Sequence, residues 1–190
     1  MTETMKFPLK AVLVLLYSLI AFQAQASHLN GFNEIDPGLY RGSRPWRQKD
    51  FDQLKSIGIK TILSLEAFPI SSWPEEKRAR KNGINFINKR IFSFSPFIPK
   101  SKMLEILDIM KDESRRPLYV HCWFGADRTG LVVGMYRMHV QNWTPEAAFE
   151  EMRQYGFNPS VVWGLYHYFK THRALESLSL LPSRAALEGA

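Results

Sequence analysis

Residues 119–130 read YVHCWFGADRTG. The first four continue an apolar run, PLYVHC over 117–122, that has the length and β-branched, aromatic character of a buried strand. The next residues, Trp123 to Asp127, contain Gly125 and must turn. From Arg128 the chain reads RTGLVVGMYRMHVQ to position 141, a mostly apolar helix that belongs in the centre of a core. Strand, five-residue turn and helix in direct succession set Cys122, the single cysteine of the 190-residue chain, at the carboxyl end of a strand and beside the N-terminus of a helix.

Such a turn makes a cup. The backbone N–H groups of Trp123, Phe124, Gly125, Ala126 and Asp127 can converge on one point, and the helix adds the positive end of its dipole. The cup has the size of a phosphate group. Gly125 supplies the backbone freedom that so tight a turn requires. Arg128, six positions after Cys122, can hold two phosphate oxygens with its planar fork, which a lysine cannot do. The same positive field favours thiolate over thiol, so the sulfur at the floor is a nucleophile aimed at phosphorus. Thr129 can donate its hydroxyl to that sulfur when it leaves.

Outward from this stretch, strand and helix patterns alternate. GLYRGSRP over 38–45 is rich in turn residues. Phe51, Leu54 and Ile57 are spaced by three, one face of a short helix that stops at Gly58. IKTILSL over 59–65 is a buried strand. SSWPEEKRARKNG over 71–83 places Ser72 near a cap, acids in the first turn and bases after them, an order that suits a helix dipole. INFINKRI over 84–91 alternates as a strand. Between 98 and 114, Met103, Ile106, Leu107 and Met110 form one helical face. Thr144 and Pro145 start another helix closed by Gly156, and SVVWGLYHYFKTH over 160–172 is the last. The pattern predicts an α/β fold: a single three-layer domain with a mostly parallel central sheet flanked by helices. Ligands of such sheets bind beyond the carboxyl ends of the strands, where Cys122 lies.

The first 26 residues read differently. Lys6 and Lys10 precede an apolar run over 11–22 and an Ala24-Gln25-Ala26 site, the pattern of a secretory signal peptide. The run is short for a bilayer span. The expected organisation is therefore a signal peptide over 1–26, a catalytic domain over 27–174 and a tail over 175–190, with no membrane anchor after cleavage. The protein is expected in the periplasm or secreted. In an oxidising compartment cysteines usually pair, so a lone Cys122 is either inert filler or a working thiol. The net charge of +7, from 25 Lys and Arg against 18 Asp and Glu, suits an anionic substrate or a solvated basic surface. No nucleic-acid motif accompanies it, and no nucleic-acid partner is expected.

The loop His121-Cys122-x5-Arg128-Thr129 resembles the phosphate loop of the cysteine-dependent protein tyrosine phosphatase superfamily. DPGLYRGSRP over 36–45, LKSIGIKTILSL over 54–65 and the segment after the loop through Gly156 resemble its compact dual-specificity-like bacterial members. The resemblance covers about residues 36–170. It implies a protein tyrosine phosphatase-like fold and hydrolysis of phosphate monoesters through a phosphocysteine. Cys122 is then the nucleophile, Arg128 the phosphate clamp, Thr129 the aid to the second step, and His121 a neighbour that tunes the thiolate. No metal or cofactor is implied. Many members carry their general acid, an Asp, on a loop that corresponds here to RIFSFSPFIPK over 90–100, which holds no carboxylate. Asp127 is the candidate donor, as in relatives with Asp at that loop position; its alternative role is to brace the loop. Trp123 and Phe124 either form a lip around the substrate or pack behind the loop. Arg41, Arg44 and Lys89 either border the pocket or form solvated surface. An exported, basic member resembles the cysteine phytases, which implies a small, highly charged inositol polyphosphate as substrate; a monomer is expected. A protein tyrosine or dual-specificity phosphatase is the alternative, and a phosphate-binding module of weak turnover a second one.

Overall fold

The computed structural model describes residues 29–173. The expected signal peptide over 1–26 and the expected tail over 175–190 lie outside the described residues. Five strands, β1 (Asn33–Asp36), β2 (Leu39–Ser43), β3 (Thr61–Ser64), β4 (Asn85–Asn88) and β5 (Leu118–Cys122), form one sheet in the order β1-β2-β5-β3-β4. The β1–β2 pair is antiparallel; the other pairs are parallel. Among the described residues six α-helices accompany it: α1 (Gln48–Ser56), α2 (Pro69–Lys81), α3 (Lys100–Lys111), α4 (Asp127–His139), α5 (Pro145–Gln154) and α6 (Trp163–Thr171).

The side-chain period of two along β5 divides the core. Leu118, Val120 and Cys122 face one side, with α3, α4, α5 and α6 over them; Met103, Ile106, Leu107 and Met110 of α3 all enter this layer. Tyr119 faces the other, where Phe51 and Leu54 of α1 and Ala79 of α2 pack. The expected three-layer α/β architecture results. Helix α4 is mostly apolar and is buried over ten residues, because α3, α5, α6 and β5 all pack on it.

Two local expectations are corrected. The turn-rich stretch around residue 40 is strand β2, because pairing with β5 in register from Leu39–Leu118 to Ser43–Cys122 outweighs its composition. Helix α2 begins at Pro69, not near Ser72: Pro69 supplies a helical φ at the first position, and Ser71 and Ser72 turn back onto the carbonyls of Phe68 and Pro69. Sheet order sets Cys122 at the carboxyl end of the central strand, between the ends of β2 and β3.

Candidate active site

Cys122 is 2% exposed and forms the floor of a cleft of about 660 Å³. Asp127 and Arg128, at the start of α4, line the same cleft. The turn between them is held from behind. Gly125 has φ +75° and lies against β2 so closely that an added Cβ would stand 2.5 Å from the carbonyl carbon of Gly42 and 2.7 Å from the nitrogen of Ser43. The nitrogen of Arg44 donates to the carbonyl of Trp123 at 3.2 Å.

Arg128 is oriented by the end of β3. Its Nη1 donates to the carbonyl of Leu65 at 3.2 Å and its Nη2 lies 3.3 Å from Oε1 of the buried Glu66. Ser71 Oγ donates to the other oxygen of Glu66 at 3.1 Å, so the carboxylate is itself fixed. Thr129 is fully buried, and its Oγ1 has no hydrogen-bond partner among the described residues. Asp127 is half-buried, and that burial raises its pKa above the ordinary 3.8; the backbone N–H of Asn158, 3.5 Å away, and the Arg128 charge oppose the rise. The hydrogen bond that Asp127 accepts comes from the segment between α5 and α6, outside its own loop.

A buried thiol, a fixed guanidinium and a carboxyl with a raised pKa thus surround one cleft at the end of a parallel strand. The family model described as "Tyrosine phosphatase family" matches residues 28–167. The chain belongs to the tyrosine phosphatase family. Among relatives, it is 31% identical over 131 residues to "Inositol diphosphatase DSP3" of Arabidopsis thaliana, covering 66% of this chain and 62% of that one. It is 29% identical over 127 residues to "Dual specificity protein phosphatase TpbA" of Pseudomonas aeruginosa, covering 65% and 53%. It thus spans less than two thirds of the length of either. The crystal structure of P. aeruginosa TpbA superposes with a TM-score of 0.68 at 24% identity, over 83% of this chain and 93% of that one. The catalytic core of the Saccharomyces cerevisiae PP-IP phosphatase SIW14, in complex with citrate, gives 0.60 at 25% identity, over 73% and 83%.

Not every expected site residue of this tyrosine phosphatase-family domain reaches the cleft. Trp123 and Phe124 do, and the loop that carries them has two sides: Trp123 also packs edge-on against Trp46 at 4.8 Å, while Phe124 is 69% exposed at the mouth. Ala126 is the N-cap of α4. Arg41 is corrected: it is fully buried and donates from Nη2 to the carbonyl of Gly125 at 2.8 Å, behind the loop. His121 is also fully buried; its Nε2 lies 2.6 Å from Glu75 and its Nδ1 3.2 Å from the carbonyl oxygen of Cys122, so it supports the loop and is not among the cleft-lining residues. Lys89 is ion-paired with Glu105 and stands outside the cleft wall. Arg44 is buried on Glu75, Nε to Oε2 at 3.0 Å.

The expected basic rim is therefore absent from this cleft. Phe68, Ile70, Phe92, Phe94 and Val161 stand there instead, with Arg128 the single cation among the lining residues. Arg47 and Lys49 line a separate groove of about 520 Å³ on the far side of Trp123 and Phe124. Glu66 and Glu75 escaped the sequence reading. A carboxylate directly after the apolar strand stretch IKTILSL was the available signal for Glu66; Glu75 sat within a charge run that reads as solvated helix surface.

Proposed function

We propose that the protein hydrolyses phosphate monoesters through a phosphocysteine. The observation that carries this is Cys122 at the floor of a cleft that Arg128 and Asp127 also line. The phosphoryl group enters the loop with its oxygens toward the backbone N–H groups and the Arg128 fork. The sulfur of Cys122 attacks phosphorus, an S–P bond forms, and the bond to the ester oxygen breaks. Asp127 gives its proton to that oxygen. Water then attacks phosphorus, passes a proton to Asp127, and the S–P bond breaks. The Thr129 hydroxyl donates to the departing sulfur, and inorganic phosphate leaves.

Relatives named inositol diphosphatases support an inositol phosphate substrate, and the phytase-like reading keeps that support. The cleft wall supports an ester with an apolar body, because its lip is phenylalanine, isoleucine and valine and its sole cation grips the reacting phosphate. This second observation favours an aryl or otherwise apolar phosphate over inositol hexakisphosphate. Action outside the cytoplasm belongs to the proposal through the N-terminal sequence alone.

Phosphate release from p-nitrophenyl phosphate, a phosphotyrosine peptide and inositol hexakisphosphate tests both parts, with Cys122→Ser as control. Release from the aryl esters, abolished in the control, is the expected result. Release from inositol hexakisphosphate alone would reverse the substrate preference; no release from any ester would reduce the site to a phosphate-binding module. Detection of the processed chain in a periplasmic or culture fraction tests its location.

A further inference from the structure

The wall of the Cys122 cleft is the inner part of a larger apolar surface. Phe68, Ile70, Phe92, Phe94, Phe124 and Val161 line the cleft, and each is more than half exposed. They come from four segments: the start of α2, the β4–α3 loop, the Cys122 loop and the α5–α6 connection. The surface continues past the lip. Trp73, 67% exposed, follows Ile70 by three residues on α2 and so shares its face. Phe97, 88% exposed, lies further along the loop that carries Phe92 and Phe94. That loop rests on α6, where a Cβ at Gly164 would stand 2.8 Å from the Phe94 carbonyl oxygen; Trp163, 57% exposed, precedes that glycine.

Trp73, Phe97 and Trp163 take no part in the cleft lining. A small ester held inside the lip leaves them in water, so they serve no small soluble ester. Large exposed apolar side chains gathered on the segments around one cleft mark a contact surface. Its charge identifies the contact. Exposed Lys77 follows Trp73 by four residues, so Ile70, Trp73 and Lys77 form one stripe that runs from hydrocarbon to cation. That order suits a membrane–water boundary, where aromatic rings lie at headgroup level and lysines reach anionic groups. The chain's excess of 25 basic over 18 acidic residues has the sign that an anionic lipid surface attracts. A phosphoprotein fits less well. A peptide main chain needs hydrogen-bonding groups beside the phosphate; of the two hydroxyls in the lining, that of Ser71 is already held by Glu66 and the Phe68 carbonyl, which leaves Ser93 amid the apolar side chains.

We infer that this apolar ring seats on an anionic lipid bilayer and that the cleft takes the phosphomonoester headgroup of a lipid lying in it. The inference rests on the phosphomonoesterase reading and names its substrate class. With phosphatidic acid the S–P bond forms, the bond from phosphorus to the glycerol oxygen breaks, and the Asp127 proton goes to that oxygen, leaving diacylglycerol in the bilayer.

Sedimentation of the full chain carrying Cys122→Ser with phosphatidylcholine vesicles, with and without phosphatidic acid, tests the docking apart from the chemistry. Binding to the phosphatidic acid vesicles is expected. Adding Trp73→Ser and Phe97→Ser is expected to lower it about tenfold for each side chain removed. In the active protein the same double variant is expected to release phosphate from the vesicles more slowly by a like factor while its turnover of p-nitrophenyl phosphate stays unchanged. Vesicle binding that survives the double substitution would assign it to the apolar run over 11–22 or another surface and overturn the inference. Turnover of the soluble aryl ester without vesicle binding would overturn it too, and would leave the phosphomonoesterase reading intact. A double variant that loses a phosphotyrosine peptide instead of vesicles would make the surface a protein dock, also against the inference.

Discussion

Arg41 on β2 donates from Nη2 to the carbonyl oxygen of Gly125 at 2.8 Å, across 84 positions of sequence. Its guanidinium lies 3.9 Å from the ring centre of Tyr155, and its Nε and Nη1 have no hydrogen-bond partner among the described residues. Burial pulls its pKa down to about 10. A trans peptide sets C=O and the following N–H in opposite directions. Drawing the Gly125 carbonyl toward β2 therefore turns the Ala126 N–H away from β2. A single buried cation fixes the orientation of a peptide in the phosphate loop.

Arg41→Met separates that role from stability. A buried charge without a carboxylate partner contributes little net stability, and methionine fills a similar volume, so Tm is expected to move by less than about 5 °C. Loss of the tether is expected to lower kcat/KM about tenfold to a hundredfold, as for loss of one preorganised donor. Because burial depresses the folded-state pKa of Arg41, its ionised form is destabilising below that pKa, and wild-type stability attributable to this group rises with pH only above about 10. A large fall in Tm with kcat/KM intact would invert the assignment.

Gly125→Ala meets a backbone obstacle. Its φ is +75°, and the added carbon would come within 2.6 Å of the Gly42 carbonyl oxygen. Neither contact can be relieved by a flexible side chain, so the loop must move off β2. Loss of activity by at least about a hundredfold is expected, because a displacement on the order of 1 Å in a positioning group has that effect. Stability is expected to fall by about 1–3 kcal/mol, read from the denaturant midpoint.

These two residues show where sequence reading succeeds and stops. Gly125 was legible because a phosphate-sized turn between a strand and a helix demands a residue of its type. Arg41 was visible as a cation near a turn-rich stretch, but its side depended on β2 pairing with β5 from 79 positions away, as in Arg41 opposite Val120. The core strands and the α3 and α4 faces followed from local period. The start of α2 did not, because Pro69 and Ser72 both carry start signals and the tertiary position of Phe68 decides between them. The acid-free loop over 90–100 was read for the carboxylate it lacks. Two of its phenylalanines, Phe92 and Phe94, were the signal for the apolar lip, and no periodic pattern gathers them with Ile70 and Val161 before the fold does.

Glu75 is fully buried between two partners, Arg44 at 3.0 Å and His121 at 2.6 Å. Removing it strands the Arg44 cation in the interior. Glu75→Ala is expected to cost about 3–5 kcal/mol, the usual cost of breaking a buried pair from one side. Combined with Arg44→Met, the loss is expected to be smaller than the sum of the two single losses, because the second change removes the stranded charge. Additive losses in urea unfolding would show that the two side chains are not coupled.

Glu66 acts through Arg128. The pair at 3.3 Å and the Leu65 carbonyl at 3.2 Å hold the guanidinium in the cleft. Glu66→Gln keeps the shape and the Ser71 contact but removes the charge. It is expected to lower kcat/KM about tenfold with little change in Tm, whereas Arg128→Lys, which loses the planar fork, is expected to lower it by at least about a hundredfold. Rescue of Arg128→Lys by inorganic anions or an unchanged kcat/KM in Glu66→Gln would count against this division of labour.

Asp127 ties burial to reaction rate. A general acid must carry its proton when the ester oxygen leaves, and burial raises its pKa, so the protonated form persists to higher pH than an exposed aspartate allows. For an alkyl phosphate, whose leaving oxygen needs that proton, kcat is expected to fall as pH rises through the raised value. Asp127→Asn is expected to remove that limb and slow the alkyl ester by about a hundredfold or more. With p-nitrophenyl phosphate, whose leaving group departs unprotonated, the same change is expected to cost less than about tenfold. Stability moves the other way. The folded state holds this proton more tightly than the unfolded chain, so the contribution of Asp127 is most favourable at low pH and declines as pH rises from the ordinary 3.8 through the folded value. An asparagine side chain cannot ionise, so the Asp127→Asn variant is expected to be no less stable than wild type at neutral pH while it is the slower enzyme on alkyl esters. Equal slowing of both esters would move the proton donor elsewhere.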